Sequence, residues 1–304
     1  MQDPYQPPTT ENTPVFDDSR PLFSNPFTFS APAVPAGQRL FQNWGVQTTW
    51  ITSDDGPHRM GLFRLGFDGE IAFPIFALEH PLCVVPHFAI NYWDGPESDV
   101  YDMPPQTFDT SLGLSWKPSW NITSLNKTID FDLFFSVGIY ADFRRMTGQS
   151  FRFPSWAYGS LLLTKNIRLK LGVYYLDRVR CKILPSGGLI WTPNSQWRFE
   201  FLFPNPRVVY RPGTTNLNNL EFYARGEYGG GSWTIKHHET GFAERVERVD
   251  YNDYRIMLGG NWNTCRTGTA YFEIGISFAR ELYYQNLKRY ALDPGFVMEG
   301  GLHF

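Results

Sequence analysis

No stretch of about 18 apolar residues runs free of charge and proline, so the chain holds no membrane-spanning α-helix. It also lacks an excess of one charge. Lys and Arg number 27 against 30 Asp and Glu, a formal charge of −3. Without a polybasic surface, no nucleic-acid partner is expected. Cysteine is scarce. Cys83, Cys181 and Cys265 lie far apart, which fits neither a disulfide framework nor a zinc motif, and they read as unpaired thiols. No basic segment followed by an apolar one opens the chain. Its first residues, Met1-Gln-Asp-Pro-Tyr-Gln-Pro-Pro, are polar, and the expectation is a mature form whose signal peptide has been removed. No repeat of about 40–50 residues marks a propeller.

What is present is aromatic. Phe, Tyr and Trp make up 17% of the 304 residues, nearly matching the 19% that are charged. From about residue 40 onward they recur with period two. In 269–282, Ala270, Phe272, Ile274, Ile276 and Phe278 alternate with Thr269, Tyr271, Glu273, Gly275 and Ser277. In 62–73, Phe63, Leu65, Phe67, Ile71 and Phe73 oppose Arg64, Gly66, Asp68 and Glu70. The same pattern fills 128–141 and 196–203. A soluble sandwich alternates in the same way. Length separates the two, because many runs approach the roughly 9–11 residues that a tilted membrane strand needs, whereas soluble strands more often have about five or six.

The pattern predicts fourteen strands: 40–52, 61–76, 83–93, 106–117, 128–141, 156–164, 167–178, 181–191, 196–203, 218–228, 232–238, 249–262, 268–282 and 295–304. Residues 206–211 could form one more, which leaves a range of 12–16. Alternate links then sort by length. Lys165-Asn166, 192–195, Gly229-Gly230-Gly231 and 263–267 read as tight turns on one side, while 94–105, 142–155, 204–217, 239–248 and 283–294 read as long loops on the other. Ahead of the strands, residues 1–38 hold eight prolines and read as an extended arm.

The last ten residues are Gly-Phe-Val-Met-Glu-Gly-Gly-Leu-His-Phe, with Phe296, Met298, Leu302 and Phe304 on one face. This resembles the terminal strand of Gram-negative outer-membrane barrels, which ends in an aromatic residue, usually Phe. The resemblance covers roughly 40–304 and departs from the family pattern at Gly300. It implies an assembly signal at Phe296, Met298, Leu302 and Phe304, read by the barrel-assembly machinery. The stretch from Leu184-Pro185 through Trp191-Thr192-Pro193 to Phe203-Pro204-Asn205-Pro206 also looks like outer-membrane barrels of planctomycete-type bacteria, which brings no function with it.

The expected architecture is therefore all-β: an antiparallel transmembrane barrel over 39–304, preceded by the periplasmic arm over 1–38. Trp44, Trp50, Trp116, Trp156, Trp191, Trp197, Trp233 and Trp262 fall near strand ends, where aromatic girdles meet lipid headgroups. Alternation assigns to the lumen Arg64, Asp68, Glu70, His87, Asp130, Asp132, Arg168, Lys170, Arg198, Glu200, Arg225, Glu227, Arg255, Glu273 and Glu299. Mixed signs predict no marked ion selectivity. His237-His238-Glu239 invites a metal reading, but neighbours in a strand face opposite ways. Neither Gly-x-Ser-x-Gly nor the His-x-Ser-Asn-Gly of phospholipase-like barrels occurs. The reading is a non-enzymatic passive conduit or structural envelope protein of the outer membrane, in contact with its lipid and without cofactor or metal. The arm is a candidate plug. The rivals are a lipase-like hydrolase with its site at the barrel rim and a soluble propeller or sandwich.

Overall fold

The computed structural model describes residues 41–304 apart from 53–55, 57, 74–79, 97, 99–100, 123–126, 214–219, 238–244, 265–267 and 287–288. The arm expected over 1–38, Cys265 and the His238-Glu239 pair lie outside the described residues. The strands are β1 (Phe41–Ile51), β2 (Gly61–Phe73), β3 (Leu82–Asp94), β4 (Gln106–Trp116), β5 (Ser119–Ile122), β6 (Lys127–Ala141), β7 (Phe151–Arg152), β8 (Ser155–Thr164) and β9 (Ile167–Tyr175). They continue with β10 (Ile183–Trp191), β11 (Trp197–Phe203), β12 (Arg207–Tyr210), β13 (Leu220–His237), β14 (Arg245–Thr264), β15 (Gly268–Tyr284), β16 (Arg289–Ala291) and β17 (Gly295–His303).

β5 extends the course of β4 along β6, β7 precedes β8 along β6, and β16 precedes β17 along β15. That leaves fourteen antiparallel staves. The first and last pair with each other from Gly45–His303 to Ile51–Val297, so the sheet closes. Closure removes the unpaired edges that an open sheet would present. A single closed sheet is neither a sandwich nor a propeller.

Period two becomes an inside and an outside. On β15, Phe272, Ile274 and Ile276 are exposed, whereas Tyr271, Glu273 and Ser277 are buried. Residue Ala279, at φ 48°, forms a bulge that shifts the ladder between Asn252 and Tyr254 and turns Arg280 and Leu282 inward. Trp44, Trp50, Trp191, Trp197 and Trp262 are exposed on the outer face. Two of the expected girdle residues belong elsewhere. Trp233 is buried, and Trp156 turns inward to donate to Asp132 at 2.9 Å.

The fourteen staves are not quite the fourteen expected. The two strands expected over 218–228 and 232–238 are one continuous strand over the described residues Leu220–His237, β13, and Gly229-Gly230-Gly231 is not a turn. The missing stave is β12, within 206–211. The two differences cancel in the count. They also move the links: 204–206 is a tight turn on the long-loop side, and 211–219 joins β12 to β13 on the side of the chain ends.

The shortness of β12 shapes the interior. It ends at Arg207 opposite Arg225, followed by a single bond from Gly226 N to Pro206 O. Beyond that point β13 pairs only with β14 along its length. Released from β12, the upper half of β13 turns across the lumen, while β14 stays paired with β15 as far as Val249–Tyr284. The β13 glycine run permits the bend, since Gly230 has φ 103° and a Cβ there would stand 1.9 Å from the Tyr251 carbonyl oxygen. From Ser232 to Ile235, and from Val249 to Asp253, every residue is buried. Alternation is lost because the hairpin is surrounded on both faces. At the far wall, Thr234 meets Ala141 in a parallel bridge.

The lumen as candidate functional site

The hairpin is held at its far end by the opposite wall. The Asp142 amide donates to Thr234 O at 3.2 Å, and the Asp142 carboxylate accepts from Lys236 N at 2.9 Å. The Trp233 indole donates to Asp109, and its ring meets Trp93 edge-on at 5.2 Å. Trp93, Trp233, Ile235, Val249, Tyr251, Leu282 and Tyr284 belong to one buried apolar cluster, joined by Ile51, Met60 and Met103. This end of the lumen is packed like a protein core.

The ionisable residues assigned to the lumen fall into separate groups. Asp68, His87 and Asp109 stand on adjacent staves β2, β3 and β4. Asp68 Oδ1 lies 2.5 Å from His87 Nδ1, and Arg64 pairs with Asp109. Arg64 also reaches Asn91 at 2.7 Å and His87 Nε2 at 3.3 Å. A guanidinium only donates, so Nε2 accepts and the imidazole proton sits on Nδ1, facing Asp68. Glu70 lies further along β2 and accepts from Asn43 at 3.1 Å.

The second group fills the side formed by β13, β14, β15 and β17. Arg225 binds Glu273 at 2.6 Å and pairs with Glu227, with Glu299 at 3.6 Å. Arg255 binds Asp253 at 2.7 Å and lies 3.9 Å from Glu299. Tyr223 donates to Glu273. These carboxylates are almost wholly buried, and such charges persist when paired.

The third group lies on β6, β8 and β9. Asp132 accepts from Trp156 and from Tyr158 at 3.0 Å, while the Lys170 ammonium stands 3.9 Å over the Tyr158 ring. Towards the chain-end side, Arg168 reaches Asp130 at 3.2 Å with both partly exposed. Arg198 and Glu200 pair at 2.8 Å on β11. Most of these charges answer a neighbour of opposite sign, while Glu70, Asp132 and Lys170 are shown against the neutral Asn43, Trp156 and Tyr158, and no ring of one sign forms among the described residues. Outside the wall, in the β9–β10 link, the Glu281 carboxylate hydrogen-bonded to Arg180 holds that guanidinium above its ordinary range.

The terminal strand presents Phe296, Leu302 and Phe304 outward, with Met298 half-buried on the same strand. Cys83 and Cys181 are free thiols. No family model matches the chain, and no curated protein matches it. Among solved structures, an outer membrane channel from Pseudomonas putida F1 is similar, with 10% identity and a TM-score of 0.44 over 91% of this chain and 98% of that one. That likeness is too slight to bring a function with it, and the barrel stands on its own strand pairing.

Sequence reading missed Arg152, Asp142 and Arg178, which join links to the hairpin. Asp142 and Arg152 lie in the segment read as a loop, where no period marks a direction, and Arg178 closes the strand expected over 167–178, which in the structure ends at Tyr175. Arg178 donates to Gly229 O and Gly230 O, both at 2.9 Å, and to Asn252 Oδ1 at 2.8 Å. It thereby satisfies carbonyls that β12 is too short to reach. Arg152 donates to Thr234 Oγ1 at 3.1 Å.

Proposed function

We propose that this chain is a bacterial outer-membrane barrel and that it works without catalysis, as a passive conduit of low conductance or as a structural part of the envelope. One observation carries the reading: a closed ladder with bulky apolar side chains outside and paired charges inside. Residues such as Leu112, Phe201, Ile256 and Phe272 are more than half exposed. Water does not tolerate such a belt on a monomer, whereas lipid requires it. Lumen-facing Arg64, Asp68, Glu70, His87, Asp130, Asp132, Arg168, Lys170, Arg198, Glu200, Arg225, Glu227, Arg255, Glu273 and Glu299 would line whatever path remains. The packed hairpin argues that this path is narrow. His87 has both ring nitrogens engaged, by Asp68 and Arg64, which favours a bracing role over a catalytic one. Phe296, Met298, Leu302 and Phe304 would serve the barrel-assembly machinery.

The test is solubility and gel mobility. The refolded chain should need detergent or lipid to stay monodisperse, and should migrate differently in SDS before and after boiling. A stable, monodisperse species in plain buffer would sink the reading.

A further inference from the structure

A cavity of about 180 Å3 lies beside the inward hairpin, with Arg152, Arg178, Ser155, Trp156, Tyr174 and Ser232 in its lining. Two carboxylates also line it, Asp109 and Glu299, and these face Arg64 and Arg255 of the same lining. The two arginines distinguish it. Arg152 is 2% exposed and Arg178 is 4% exposed. Arg152 donates to Gln149 O, to Phe151 O at 3.0 Å and to Thr234 Oγ1, and its Nε is buried with no partner. Arg178 donates to two carbonyls and the Asn252 amide oxygen, with the Tyr228 ring 4.9 Å away. All of these partners are neutral. Arg64, Arg198, Arg225 and Arg255 each pair with a carboxylate, whereas neither Arg152 nor Arg178 does so among the described residues. The acids nearest Arg152, Asp177 and Asp250, act on it from beyond bonding distance. Asp177 accepts from Phe153 N at 3.0 Å and pairs with Arg248 at 3.5 Å, and Asp250 accepts from Arg180 N at 2.9 Å.

A buried guanidinium with no carboxylate in contact has lost its hydration and gained mainly dipoles as direct partners. Two of them on one cavity leave a demand for an anion. The planar fork of arginine suits a carboxylate. The rest of the wall suits a flat apolar body. Trp156 stacks on Phe134 at 3.9 Å, and Tyr174 follows at 6.1 Å. The volume holds on the order of a dozen water-sized spheres, which limits a ligand to roughly ten non-hydrogen atoms.

We propose that this cavity binds a small planar organic carboxylate, with its anionic end drawn to Arg152 and Arg178 and its ring against Trp156 and Tyr174. The inference goes beyond the conduit reading, because it concerns binding and not flux.

Benzoate is the probe, titrated into the refolded full chain in detergent and followed by calorimetry and tryptophan fluorescence. Binding is expected at or below about 1 mM, with benzyl alcohol and acetate each at least about tenfold weaker. Arg152→Gln should weaken benzoate about tenfold or more, while Arg152→Lys, which keeps the charge, should retain more of the binding. Arg178→Gln should act alike, but it also uncaps the hairpin. The deciding variant is therefore Arg152→Gln, measured in protein that still shows the mobility shift of a folded barrel. Benzoate should raise the unfolding temperature of the parent chain and not that of Arg152→Gln. Folded parent protein that ignores benzoate up to about 10 mM would overturn the proposal. So would equal binding of benzyl alcohol, which would mean an aromatic slot only, or of inorganic phosphate, which would mean an unselective anion site.

Discussion

A methyl group at position 230 has no room. The φ of 103° belongs to the region glycine favours, and the Tyr251 carbonyl oxygen fills the space where a Cβ would stand. Gly230→Ala should therefore cost at least about 1–3 kcal/mol, as strained positions do. Urea titration in detergent or lipid, read by tryptophan emission, measures it, and an unchanged midpoint would show that the bend tolerates side chains. Nothing local announces this role. Three consecutive glycines are a turn signal in most sequences, and only the absence of a neighbouring stave makes them a bend inside a strand. The lumen charges divide in the same way. Alternation places Arg225 and Glu273 on the buried faces of β13 and β15, but their pairing joins residues 48 positions apart and depends on a register that no single segment contains. Arg152 falls in the loop read over 142–155 and carries no period, and Arg178 is the last residue of the strand expected over 167–178, which stops at Tyr175.

Among the elements, the β13–β14 hairpin decides what the barrel can pass. Its wall-bound half keeps strict alternation, as in the exposed Phe222 and Ala224 against the buried Tyr223. Its inner half, Ser232 to Ile235, does not, so the two halves read as separate strands although one ladder runs through both. The four-residue β12 falls below the length at which period two can be distinguished from chance, and its weight in the fold comes from where it stops. Excising Trp233–Val249 and joining Ser232 to Asp250, which are register partners, through Asn-Gly should open the lumen. Planar-bilayer conductance should then rise several-fold over the parent chain. Deleting residues 1–38 tests the other candidate plug, and a rise confined to that deletion would acquit the hairpin. The apolar cluster around Trp93 and Tyr251 packs the hairpin against the barrel's interior, which is why its excision is the test of the proposed low conductance.

For the whole molecule, the seam between β1 and β17 joins the two ends of the chain, and its last bonds run between Trp44 and Phe304. The Phe304 side chain contributes little burial, with the residue 65% exposed on the outer face. Phe304→Ala should leave the folded barrel within about 1 kcal/mol of the parent, yet lower outer-membrane levels in cells several-fold if the terminal strand is the assembly signal. Unchanged levels, read by fractionation and immunoblot, would dismiss that role. The wall that this seam closes is uneven in height. At about 3.3 Å per residue, the four residues of β12 span roughly 13 Å, half of the apolar band of about 25 Å that membrane barrels present. On the opposite side, β3 and β6 run for 13 and 15 residues. Around the proposed membrane barrel, a bilayer matched to this collar would thin on the short flank and be compressed asymmetrically. Such a collar would impose a direction on the membrane plane, which a cylinder of even height would not.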